Sequence, residues 1–129
     1  MTRDEIILTL PRERPFFGVA HLVVGGLAVR LDLSYDELDD LQIALAELLG
    51  YRDLDDSVTL AVRVEGDTFA ATIGPFDERV VKQLTDDDAN EVGLRRVLET
   101  VVDAIEVTQR EGKPWVELRK SIQRSGVAL

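Results

Sequence analysis

The run Ser34-Tyr-Asp-Glu-Leu-Asp-Asp-Leu-Gln-Ile-Ala-Leu-Ala-Glu-Leu-Leu-Gly50 is the segment of this chain with the least conformational choice. Ser34 is placed to cap a first turn, and Glu37, three residues on, to return a hydrogen bond to the Ser34 amide. Asp36, Glu37, Asp39 and Asp40 cluster at the positive end of the helix dipole, where negative charge is stabilising. Leu38, Leu41, Leu45 and Leu48 recur at steps of three and four, which predicts one buried face. Gly50 marks the stop. Glu47 is an acid late in the helix, beside Ala44 and Tyr51 at helical spacing, and its two readings are chemistry and solvated surface.

Around this helix the pattern alternates in kind. Ile6 to Leu10 reads as a strand closed by Pro11. Pro15 to Leu31 reads as a helix with Phe17, Ala20, Val24, Leu27 and Leu31 as its core stripe. Gly25 and Gly26 are costly inside it, at up to about 1 kcal/mol each relative to alanine, and suggest a close neighbour. The short Leu31-Asp-Leu link makes it an antiparallel neighbour of the 34–50 helix. Leu60, Val62 and Val64 alternate with Thr59, Ala61 and Arg63 in a half-buried strand. Glu65-Gly66-Asp67 turns that strand into a second one, Thr68 to Ile73. One short helical turn is expected near Val80 to Leu84. Asp88 and Glu91 predict a capped helix buried through Leu94, Val97, Leu98 and Val101. Ile105 to Gln109 and Trp115 to Arg119 form a final hairpin, with Trp115 out of phase with Val116 and Leu118.

The resulting order, β-α-α-β-β-α-β-β, argues for an α+β two-layer sandwich. Its sheet is mostly antiparallel and its helices lie on one face. At 129 residues the chain reads as a single domain over residues 1–122 with a flexible tail from 123 to 129. It has no cysteine, so disulfides and thiolate chemistry are excluded. No run reads as a signal or a membrane span, and the expected setting is the cytoplasm. The formal charge of -10 opposes direct nucleic-acid binding and favours a basic protein partner.

The run Val29-Arg-Leu-Asp-Leu-Ser-Tyr-Asp-Glu-Leu-Asp-Asp-Leu-Gln-Ile-Ala-Leu-Ala-Glu47 resembles the second-helix region of the histidine-kinase-like ATPases. The run Val92-Gly-Leu-Arg-Arg-Val-Leu-Glu-Thr-Val-Val-Asp-Ala-Ile-Glu-Val107 resembles a later helix and strand of the same superfamily. With the element order, the likeness spans roughly residues 5 to 120 and is nearest to the bacterial anti-sigma factor serine kinases. The resemblance implies Glu47 as the catalytic glutamate. It implies Tyr51 where the family has a magnesium-binding Asn, a poor exchange because Mg²⁺ prefers compact oxygen ligands. It aligns Thr72-Ile-Gly-Pro-Phe-Asp-Glu78 with the family's Asp-x-Gly-x-Gly, leaving Gly74 but no adenine-binding Asp. Of the phosphate-cradling turn only Gly93 remains, preceded by Asp86, Asp87 and Asp88, whose charge opposes phosphate.

These departures imply a kinase-like fold without a working cofactor site, with weak Mg-ATP binding at most and no resident metal. The expected function is regulatory protein binding of the anti-sigma type, with a sigma factor or an anti-anti-sigma-like protein as partner. His21, Asp36, Asp39 and Asp40 are the candidate partner contacts, with apolar residues of the first helix beside them. Two alternatives stay open: an ATP-dependent serine/threonine kinase using Glu47, and a structural homodimeric module.

Overall fold

A computed structural model describes residues 5–51, 56–85 and 93–122. Helix-capping chemistry sets its first half. The helix α1 (Arg14–Arg30) starts with proline in its first turn, where the missing N–H costs nothing. It ends in a nested pair of backbone bonds, Asp32 N–H to Val29 O and Leu33 N–H to Ala28 O. Asp32 takes a positive φ of 53°, so this is a left-handed helix stop with aspartate where glycine is commonest. The chain then enters α2 (Tyr35–Leu49) at once through Ser34. Ser34 Oγ accepts from the Glu37 amide at 3.1 Å, and Glu37 Oε1 accepts from the Ser34 amide at 2.9 Å. The capping box expected from the sequence is formed.

Five strands follow from the alternating segments: β1 (Glu5–Pro11), β2 (Ser57–Glu65), β3 (Thr68–Gly74), β4 (Ala104–Arg110) and β5 (Lys113–Ser121). They make one sheet in the order β1-β2-β3-β5-β4, every neighbour antiparallel. The β4–β5 turn has Glu111 and Gly112 both at positive φ, 53° and 78°, which is the two-residue hairpin turn whose twist matches the strands. Because side chains alternate, Leu60 and Val62, Phe69 and Ile73, and Val116 and Leu118 share one sheet face. Against it pack Ala20 and Val24 of α1, Leu41, Leu45 and Leu48 of α2, Val80 and Leu84 of α3 (Glu78–Thr85), and Leu94 and Leu98 of α4 (Leu94–Val101). The α+β sandwich is as the sequence implies.

Three local expectations are revised. The single turn near Val80 is a complete helix, because Val80 and Leu84 at i and i+4 bury together. The helix expected from an Asp88 cap begins at Leu94, with Gly93 in the cap position; Asp88 and Glu91 lie outside the described residues, as do Asp86, Asp87 and the tail from 123. Ala28 is buried on α1, while Phe17, Leu27 and Leu31 are only partly covered. No helix among the described residues is long and apolar enough to cross a membrane.

Candidate functional site

The segments that follow β1, α2 and β3 meet beside the C-terminus of α2. Tyr51 follows the Gly50 cap, Arg12 follows β1, and Phe76 follows β3. Phe76 is 1 % exposed and its amide donates to Pro114 O at 2.8 Å. The Tyr51 ring meets it edge-on, with centroids 6.3 Å apart and planes at 83°. Arg12 lies 5.4 Å from the Phe76 centroid and donates to Pro75 O at 2.7 Å and Ser57 O at 3.4 Å. An aromatic pair under a guanidinium is a packed unit with favourable ring geometry and a cation over a π face.

Glu47 sits one turn before Tyr51 and is exposed. Gly74 serves another purpose than a phosphate turn. A Cβ there would come within 2.5 Å of Trp115 Cδ2, so the glycine lets the indole lie flat over β3 on the face away from the helices. Arg110 covers that indole from 5.1 Å. Gly93 opens α4 in an extended conformation, with φ -70° and ψ 164°, and no side-chain cap. Among the described residues, no three His, Cys, Asp or Glu side chains converge as a metal site would need. A cleft of about 220 Å³ between α4 and β4, lined by Arg95, Glu99, Val102, Asp103, Ala104 and Ile105, is smaller than typical ligand pockets.

The candidate partner residues lie on the helical layer. His21 Nδ1 donates to Gln42 Oε1, and Gln42 Nε2 returns a bond to the His21 carbonyl at 3.0 Å, clasping α1 to α2. Asp36 and Asp39 are exposed on α2. Asp40 differs: it accepts from Lys120 Nζ at 3.1 Å and ties α2 to β5.

Sequence reasoning missed a charge network on the opposite face of the sheet. Arg63 bridges Glu65 at 2.6 Å and Glu117 at 2.7 Å, and Arg119 stands 3.5 Å from Glu117. Burial works to raise the Glu117 carboxyl. The Arg63 hydrogen bond and the Arg119 and Arg63 charges outweigh it, and the group ends below its ordinary value. The only sequence signal was charge at alternate strand positions, without the register that pairs them.

No family model matches the chain. Over 96 % of its length it is 29 % identical to a serine-protein kinase RsbW from Halalkalibacterium halodurans, covering 87 % of that protein. The RsbW of Bacillus subtilis is 27 % identical over 84 % of this chain and 81 % of its own. Among solved structures, the RsbU and RsbW domains of a Mycobacterium tuberculosis protein superpose with a TM-score of 0.67 at 14 % identity, over 94 % of this chain and 32 % of that one. A chain of the SiaB–SiaC complex from Pseudomonas aeruginosa superposes with a TM-score of 0.58 at 14 % identity, over 92 % and 88 %. The resemblance to histidine-kinase-like domains of the anti-sigma kinase type therefore extends from local motifs to nearly the whole chain and its fold.

Proposed function

We propose that this relative of the RsbW serine-protein kinases is a regulatory protein-binding domain of the anti-sigma type that no longer uses ATP. Its partner is a sigma factor or an anti-anti-sigma-like protein, and the work belongs to the cytoplasm. The observation that carries the reading is the packed unit of Arg12, Phe76 and Tyr51. In the resemblance, the residue one turn after Glu47 holds magnesium, the adenine-binding Asp falls at Thr72 on β3, and Phe76 takes the place of the motif's second glycine. Here the magnesium and second-glycine places carry a phenol and a buried phenyl ring in mutual contact. A phenol is a poor substitute for an amide oxygen on Mg²⁺, and Thr72 offers no carboxylate to an adenine amine. These residues do not fit a magnesium nucleotide.

The partner-binding half of the reading is supported by the exposed apolar side chains of α1 and the exposed acids Asp36 and Asp39 on α2. Acids of this kind steer a basic partner, while apolar burial supplies affinity. Asp40 is paired with Lys120, so its charge is largely compensated and it adds little to that field.

Affinity capture from the source cell, with and without Mg-ATP, tests both halves together. The expected result is one protein partner retained equally in both conditions, with no heat on titrating Mg-ATP into the free domain. Low-micromolar nucleotide affinity would overturn the loss of ATP use. A second reading, a serine/threonine kinase, is favoured by the exposed position of Glu47 and gains ground if the partner is phosphorylated and Glu47→Gln abolishes it. Recovery of this chain alone would instead support a homodimeric module, for which the exposed Ile6 and Ile7 on edge strand β1 offer one surface.

A further inference from the structure

Strand β4 has a neighbour on one side only among the described strands. The two-residue turn at Glu111 and Gly112 closes on Arg110 and Lys113 as a directly hydrogen-bonded pair. Bonding then recurs at every second residue, so Thr108, Glu106 and Ala104 direct their backbone groups to β5. The bond from Ile122 N–H to Asp67 O at 2.8 Å sets the same phase from the other side, because it turns the even-numbered residues of β5 toward β3. The N–H and C=O groups of Ile105, Val107 and Gln109 therefore point outward along the free edge. No proline, glycine or bulge, the common guards of an edge, interrupts Ala104–Arg110.

The side chains say what such an edge accepts. Glu106 and Arg110 are exposed and share the outer face of the sheet, with Thr108 midway between them. In a second copy paired antiparallel about a twofold axis at Thr108, Glu106 falls opposite Arg110 of that copy, and Arg110 opposite its Glu106. Val107 then meets Gln109 of the copy as a hydrogen-bonded pair, in phase with the outward backbone groups. Moving the axis to Val107 keeps the phase but sets Glu106 opposite Thr108 and parts the charges. Thr108 Oγ1 is buried without a hydrogen-bond partner among the described residues, and a turn of its χ1 at the axis brings it to its own counterpart. Directly opposed threonines already join on this face, at 2.8 Å between Thr9 and Thr59. Residues 104–113 carry two acids and two bases, so this edge is neutral in a chain of charge -10. Edge strand β1 carries one charge, Glu5, and offers no such complement.

We propose that two copies of this chain pair edge to edge along β4, joining their five-stranded sheets into one continuous antiparallel sheet. Strand β4 is the edge opposite β1, against which α1 packs, so the pairing leaves the outer surface of α1 free. Such a dimer depends on neither the loss of ATP use nor the identity of a protein partner. A single strand pair buries little surface, so the dimer is reversible and concentration-dependent.

Sedimentation velocity of the full chain over a concentration series, with amide exchange followed by NMR, tests it. The expected result is a monomer–dimer equilibrium in which the Ile105, Val107 and Gln109 amides become protected as the dimer fills. Val107→Pro removes an outward N–H that the sheet of one copy does not use, so it should abolish the dimer and leave the circular dichroism unchanged. Glu106→Arg sets like charges opposite each other twice and should weaken the dimer about 10-fold, as should Arg110→Glu. Glu106→Arg combined with Arg110→Glu restores both opposed pairs and should return most of the affinity. A chain that stays monomeric at its solubility limit would overturn the proposal. So would a dimer that Val107→Pro leaves intact, a dimer broken instead by Ile7→Glu on β1, or a double swap no tighter than the single reversals. If the β4 amides are protected only when another protein is bound, the occupant is a strand of that protein and the proposal fails.

Discussion

On the outer face of the sheet, Glu117 accepts from Arg63 at 2.7 Å with both side chains largely covered. Its carboxyl titrates lower in the folded chain than the ordinary 4.5 expected when unfolded. A lowered carboxylate stabilises the fold fully above the unfolded value, and that contribution disappears as pH falls through the folded one. Urea unfolding should therefore show Glu117→Gln to be less stable at neutral pH, by on the order of 1–3 kcal/mol. The difference should shrink on acidification below 4.5. Gly74 offers a steric counterpart. Gly74→Ala must displace the Trp115 ring and should cost about 1–3 kcal/mol, as overpacking does, with a change in tryptophan emission to report it. That Trp115 points away from the core was legible, because it falls out of phase with Val116 and Leu118. That it lies over Gly74 was not, since only the β3–β5 register brings the two strands together.

Helix α1 separates what periodicity can and cannot say about an element. Its sequence showed an apolar stripe and two adjacent glycines, and suggested a close neighbour for both. Among the described residues Gly25 alone of the two has one, with Gln42 Nε2 3.9 Å from where a Cβ would stand, while Gly26 faces open space. Gly26→Ala should accordingly raise the stability of the isolated domain by about 0.5–1 kcal/mol, seen as a higher melting temperature. The start of α2 was fully readable, since Ser34 and Glu37 complete each other's hydrogen bonds within one turn. The start of α4 was not: Gly93 caps it through backbone geometry with no side-chain bond.

For the whole molecule, the question of nucleotide use turns on several residues acting together. Restoring the missing amide alone, with Tyr51→Asn, should leave Mg-ATP without measurable heat on titration, because Phe76 still occupies the segment after β3. Phe76→Ala should cost about 3–5 kcal/mol of folding stability, as loss of a buried aromatic does. Strong Mg-ATP binding by the Tyr51→Asn chain would place the defect in the single ligand and not in the packed unit.

The five strands, the first two helices, the Ser34 cap and the leucine face of α2 were determined by the sequence alone, because each depends on residues within a few positions of one another. The likeness to anti-sigma kinases was carried by the same local runs. Only the tertiary structure decided that Arg12, Tyr51 and Phe76 meet, that Asp40 joins Lys120, and that Arg63 joins Glu117. Those contacts depend on antiparallel register and on the docking of α2 over the sheet, where one residue of slip would send each side chain to the opposite face.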